Sequence, residues 1–283
     1  MPPARIVMLT TAAMMAFAGN SLLCRMALNH TSIDPASFTT VRLVSGALVL
    51  WLIVRRRQGS RPGWGNWKSA LALFVYAAAF SFAYVSLPTG MGALLLFGAV
   101  QVSMIGYGVW NGERLLKWQL VGLVLAFGGV VGLMLPGLEA PPLYGSLLML
   151  SAGLAWGIYS LRGRGEGDPT SVTAGNFLRS VPITIALSLA WFDGSNLDIA
   201  GIGYAVASGA IASGIGYAIW YTVLPALKAT TAATVQLSVP VIAALGGIAF
   251  LNEAISLRLV LASIAILGGI ALVIMQKRPT ESA

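Results

Sequence analysis

Two aromatic stripes run through apolar stretches of this 283-residue chain. Tyr76, Phe80 and Tyr84 recur at i, i+4 and i+8, so a helix places them on one face. Tyr217, Trp220 and Tyr221 make a second such face. Phe97, Gln101 and Met104 follow the same helical spacing, with Tyr107 close by. Asn20 follows Gly19; Trp156, Tyr159 and Ser160 flank Gly157; Gln236 and Ser238 sit late in the chain. Aromatic stripes often serve only packing. A Tyr hydroxyl or a Gln or Asn amide inside hydrocarbon, however, needs a hydrogen-bond partner and turns toward the interior. The chemistry on offer is recognition, combining stacking with neutral dipoles. Arg42 and Arg179 add two cations deep in apolar stretches. Such a cation is a candidate receiver of a carboxylate, although carbonyl oxygens or a helix C-terminus satisfy it equally well. The expected substrate-binding set is Asn20, Tyr76, Phe80, Tyr84, Phe97, Gln101, Met104, Trp156, Tyr159, Tyr217, Trp220, Tyr221, Arg42 and Arg179.

Catalytic chemistry has little to work with. Cys24 is the single cysteine and His30 the single histidine, so neither an intramolecular disulfide nor a Cys/His metal site can form. Phosphate-binding glycine loops and nucleophile elbows are absent. No cofactor or metal is expected, and no enzyme. No Asp or Glu sits mid-span; Glu113 and Glu253 lie at helix ends, which predicts weak proton coupling or none.

The elements that position these residues follow from composition. Apolar residues make up 57% of the chain and charged residues 9%, against about 25% charged in a soluble domain. The chain reads as an all-α polytopic membrane protein. Ten spans are expected, at about 5–28, 35–56, 66–87, 90–111, 117–136, 142–162, 170–192, 199–224, 229–251 and 256–276. Arg5, an apolar run and Ala16-Phe17-Ala18 resemble a cleavable leader, but the apolar pattern runs on through Met26, so retention of the first span is expected.

The net charge of +8 sorts by loop rather than forming a stripe, which argues against nucleic acid. Arg5, Arg55, Arg56, Arg57, Arg61, Lys68, Arg114, Lys117, Arg162, Arg164, Lys228, Lys277 and Arg278 fall on one side. His30, Asp34, Glu139, Asp193 and Asp198 fall on the other, and Arg25, Arg42, Arg179 and Arg258 break the pattern. Both termini are therefore expected in the cytoplasm of a bacterium, with the chain multi-pass in the inner membrane.

Several marks repeat in order. Asp34-Pro35-Ala36-Ser37 parallels Asp168-Pro169-Thr170-Ser171, and Tyr84-Val85-Ser86-Leu87-Pro88 parallels Tyr221-Thr222-Val223-Leu224-Pro225. Glu113 before Gly128-Gly129 parallels Glu253 before Gly268-Gly269. Five spans per half is an odd number, so the second copy must enter the membrane inverted, as in secondary transporters. The expected units are residues 1–138, residues 139–277 as an inverted five-helix repeat, and a tail at 278–283. Glycine pairs at 128–129, 246–247 and 268–269 are expected to let helix backbones approach.

Thr231-Ala232-Ala233-Thr234 through Pro240, Asn252-Glu253 and Gly268-Gly269 resemble the EamA type of the drug/metabolite transporter superfamily. The first half is similar at Arg42, Pro88, Asn111-Gly112-Glu113-Arg114 and Gly128-Gly129. The resemblance implies ten helices around a cavity lined by helices one, three, four, six, eight and nine. Val100-Gln101 stands where the ninth span has Pro240, and with the aromatic third span this resembles the aromatic amino acid exporter subgroup. The implied function is alternating-access, facilitative export of aromatic or hydrophobic amino acids and related metabolites. The rival readings are export of amphipathic drugs or of nucleotide sugars, and more distantly a structural membrane subunit or an intramembrane enzyme. The expected partners are a small-molecule substrate and the lipid bilayer, with the protein a monomer or weak dimer.

Overall fold

The computed structural model describes residues 1–57, 65–112, 115–137, 140–163, 168–227, 232 and 235–275. Ten helices account for most of them: α1 (Pro3–His30), α2 (Pro35–Arg56), α3 (Trp67–Tyr84), α4 (Thr89–Trp110), α5 (Lys117–Met134), α6 (Leu143–Arg162), α7 (Pro169–Ala190), α8 (Ile199–Ala226), α9 (Ser238–Leu251) and α10 (Leu257–Met275). No strand occurs among the described residues. All of these helices except α9 are long and apolar enough to cross a bilayer. As described, α9 has 14 residues. The expected span over 229–251 starts in residues that fall outside the description, as do Glu113, Arg114, Glu139, Arg164, Lys228 and the tail.

Local chemistry sets the helix starts. Asp34 and Asp168 are N-caps followed by proline at the first helical position, where the missing N–H costs nothing. The Asp34 carboxylate accepts from the backbone N–H groups of Ala36 and Ser37 at 2.9 Å each. Its second oxygen accepts from Asn196 N–H at 2.9 Å, which ties the loop before α8 to the start of α2. Asp168 accepts from the Ser171 N–H at 3.0 Å and its hydroxyl at 2.6 Å. The paired Asp-Pro marks in the sequence are thus two equivalent caps.

Lipid supplies no hydrophobic drive between helices, so association rests on close backbone approach at small residues. The most extensively packed helix pairs are α2 with α7, α3 with α6 and α7, α4 with α6 and α9, α5 with α10, α1 with α8 and α9, and α2 with α8. A Cβ on Gly153 would strike the Leu96 carbonyl and Ala99 of α4, and one on Gly122 or Gly269 would strike the other's carbonyl oxygen. Two of the three glycine pairs divide their work, while Gly246 and Gly247 both meet neighbours. Gly129 and Gly269 pack against a neighbour, whereas Gly128 and Gly268 face open space.

One irregularity lay beyond sequence reading. Residues Ala207–Ile215 of α8 are wound as a π-helix. Wider turns of this kind are rare and concentrate at functional positions. Here Gly209 leaves room for the Arg42 carbonyl and the Ser45 hydroxyl of α2, and Ser208 donates to Asn20 of α1 at 2.6 Å.

Candidate functional site

A cavity of about 600 Å³ occupies the middle of the bundle, in the usual range for small-molecule sites. Eleven of the expected residues line it: Asn20, Tyr76, Phe80, Phe97, Gln101, Met104, Trp156, Tyr159, Tyr217, Trp220 and Tyr221. Trp156 is the hub. Its ring lies 4.8 Å from Tyr76, 5.4 Å from Tyr159 and 5.2 Å from Tyr217, centroid to centroid. Phe17 packs edge-on against Tyr217 at 5.7 Å and Trp220 at 6.1 Å. Four helices, α1, α3, α6 and α8, therefore build one aromatic wall. Helices α1, α3, α4, α6 and α8 contribute, joined by Ala232 and Gln236 before α9.

Helix α7 also lines the cavity, through Val172, Thr173 and Asn176, which the sequence reading passed over. Thr173 and Asn176 sit one turn apart inside an apolar helix, the same signal that marked Gln101. Tyr159 donates to the Thr173 hydroxyl at 3.4 Å. Phe17, Ser21 and Ser213 are further lining residues that the sequence reading missed. Phe17 carried no distinguishing signal, and Ser213 lies in the π-wound stretch whose facing no regular helical spacing could give.

Three expected residues lie elsewhere. Tyr84 continues the α3 stripe but is fully buried outside the cavity, packed on Gly92 and donating to the Thr89 carbonyl at 3.3 Å. Arg179 points away and donates to the Gly175 carbonyl of its own helix at 3.3 Å. Arg42 stands behind the cavity wall, 4.8 Å from the Phe80 ring centroid and 5.3 Å from that of Tyr76. Tyr107 is exposed on the outside of the bundle. Spacing fixed the face of each residue, but not its height along the bundle or the helix packed there.

The cavity is one-sided. Its lining runs to Gly163 and Pro169, at the end that carries Arg57, Lys68 and Arg162, and takes nothing from the last turns of α1 or α3. At the opposite end, the Glu253 carboxylate accepts the Thr89 backbone N–H at 2.9 and 2.8 Å and the Thr89 hydroxyl at 3.1 Å, capping α4. Arg25 Nε lies 3.5 Å from the same carboxylate, within ion-pair reach but not aligned as a hydrogen bond. Arg25 Nη1 donates to the carbonyls of Tyr84 and Val85 at 2.9 and 3.0 Å, closing the C-terminus of α3. Helices α1, α3, α4 and the segment after α9 thus meet at one knot, and the cavity lining stops short of it.

No ionised side chain lines the cavity among the described residues, and they contain no cluster of metal-ligating groups. The surface offers aromatic faces, amides and hydroxyls, suited to binding a small molecule with mixed polarity.

A many-helix apolar bundle around a central, one-sided cavity is the architecture of a membrane transporter. The chain matches the EamA-like transporter family over residues 143–275. It is 57% identical to an uncharacterized protein of Pseudomonas aeruginosa, over 97% of this chain and 96% of that one. An uncharacterized transporter of Archaeoglobus fulgidus is 26% identical over 77% of this chain and 82% of its own length. One of Bacillus subtilis is 22% identical over 84% and 86%. A protein of known crystal structure, 18% identical, superposes with a TM-score of 0.68 over 95% of this chain and 97% of that one, which speaks for the fold alone.

Proposed function

We propose that the protein is a bacterial inner-membrane carrier that exports amino acids, aromatic or hydrophobic ones first, by facilitative alternating access. The observation that carries this reading is the cavity lining: clustered aromatics with amides and hydroxyls and no fixed charge. A zwitterion brings both charges with it, so neutral dipoles suffice to hold its ends while aromatic faces take the side chain. An amphipathic cation would call for a carboxylate in the wall, and a nucleotide sugar for several basic groups; the described lining has neither.

The packing supports two inverted halves, residues 1–138 and 139–277. Exchanging α1 with α6, α2 with α7, α3 with α8, α4 with α9 and α5 with α10 turns the α3–α6 contact into α8–α1, α4–α6 into α9–α1 and α2–α8 into α7–α3. The α2–α7, α4–α9 and α5–α10 contacts return to themselves. Rocking the halves about these self-paired contacts would expose the same cavity to either side. The basic end, where the cavity opens, is placed in the cytoplasm with both termini. Arg25 and Arg258 break that charge rule because they close the helix ends at the Tyr84, Val85 and Leu135 carbonyls.

Reconstituted in liposomes, the protein is expected to take up labelled Phe, Thr or Met saturably, at the same rate with and without an imposed proton gradient. No uptake of any of the three would refute the amino acid reading. Uptake that collapses with the gradient would refute the facilitative one.

A further inference from the structure

Arg42 is buried to 1% exposure, and no carboxylate pairs with it among the described residues. Its guanidinium is always charged. Nη2 donates to the Tyr76 hydroxyl at 3.1 Å, while Nε and Nη1 have no hydrogen-bond partner among the described residues. A buried cation without a counter-charge is costly, and the cavity wall supplies none.

Tyr76 stands between that charge and the cavity it lines. Asn20 Nδ2 donates to the same phenol oxygen at 3.4 Å. The Asn20 amide is oriented by Ser208, whose hydroxyl lies 2.6 Å from Oδ1, ordinary for O–H···O and short for N–H···O. Two N–H groups thus occupy the acceptor side of the Tyr76 oxygen. Its own proton meets no acceptor among the described residues, so the group can only donate onward, under the pull of a guanidinium one hydrogen bond behind it.

We infer that the Tyr76 hydroxyl is the donor that receives the substrate's carboxylate, with Arg42 as the positioning residue that makes this point of the wall electropositive. The arriving carboxylate is the counter-ion that Arg42 lacks. The site then selects substrates with an ionised carboxyl group over analogues whose carboxyl is masked. This rests on the amino acid reading given above.

The test is uptake of labelled L-phenylalanine and of L-phenylalaninamide, identical except at the carboxyl group. The wild-type protein is expected to favour the acid. Tyr76→Phe keeps the ring and its stacking and removes only the hydroxyl. It should raise the KM for phenylalanine roughly tenfold or more, the worth of one hydrogen bond in a charged network, with the maximal rate retained. The preference over the amide should shrink by the same factor. Arg42→Lys should preserve much of the preference and Arg42→Gln should lose it. Equal handling of acid and amide by the wild type would overturn the inference and leave the carrier standing. So would a Tyr76→Phe variant that loses maximal rate with its KM unchanged, the mark of a purely structural role. Uptake of neither compound would remove the amino acid reading, and this inference with it.

Discussion

Trp156→Ala is expected to reduce amino acid transport at least tenfold while the protein still folds. Trp156 is only half-buried, because one side of it faces the cavity. Its indole touches the rings of Tyr76, Tyr159 and Tyr217, which come from α3, α6 and α8. Each such pair contributes about 0.5–1.5 kcal/mol beyond simple burial. Truncation therefore removes both a contact surface for substrate and the piece that holds three other rings in place. A substrate resting on the indole loses one or two contacts of the same kind and the alignment of the other rings, and about 1.4–2.8 kcal/mol corresponds to roughly 10- to 100-fold in affinity. Trp156→Phe, which keeps an aromatic face, should recover most of the activity. The check is the KM for phenylalanine in liposomes, alongside a detergent melting curve. A Trp156→Ala protein with unchanged KM would mean that the wall is packing and the substrate binds elsewhere.

The second large effect is expected at the closed end. Glu253→Gln keeps the shape of the side chain but removes the charge that caps α4 and faces Arg25. Breaking one side of a mostly buried pair costs about 3–5 kcal/mol in a dry site, and this one is slightly wetter, with side-chain exposures of 14% and 15%. The knot joins α1, α3 and α4 at the end that the proposed alternating access would open outward. The variant should therefore melt at lower temperature and spend more time open on that side. Cys24 offers a native reporter, being the only cysteine, fully buried, and adjacent to Arg25. A membrane-impermeant maleimide added from the outside should label Cys24 faster in Glu253→Gln than in the wild type. Equal labelling in the two proteins would show that the knot does not set the balance between the access states.

Much of this site is visible in the bare sequence, for a physical reason. In an apolar helix each amide, hydroxyl or aromatic stripe stands out, because hydrocarbon penalises it unless it faces inward. That logic located Asn20, Gln101, Trp156 and the Tyr217–Tyr221 face, all of which line one cavity. The same logic applied to Thr173 and Asn176 would have found the contribution of α7.

Tyr84 shows the limit. It shares a face with Tyr76 and Phe80, yet two turns of rise carry it out of the cavity into the closed end, where Gly92 opposes it. Arg42 shows another. Its depth is legible, but its place behind the Tyr76 and Phe80 rings depends on how α2 packs against α3 and, at its own carbonyl, against Gly209 of α8. Helix boundaries were legible where a cap is written plainly, as at Asp34-Pro35 and Asp168-Pro169. Which glycine of the 128–129 and 268–269 pairs meets a neighbour was not legible, since both members fit the pattern and only the packed partner distinguishes them.

The most direct test of the central claim is counterflow. Liposomes holding the protein are loaded with excess unlabelled phenylalanine and diluted into trace labelled phenylalanine, with no ion gradient and no membrane potential. A carrier whose single cavity faces each side in turn predicts a transient overshoot of label inside the vesicles, abolished by Trp156→Ala. Label that merely equilibrates, with no overshoot and no effect of the cavity variant, would contradict the account.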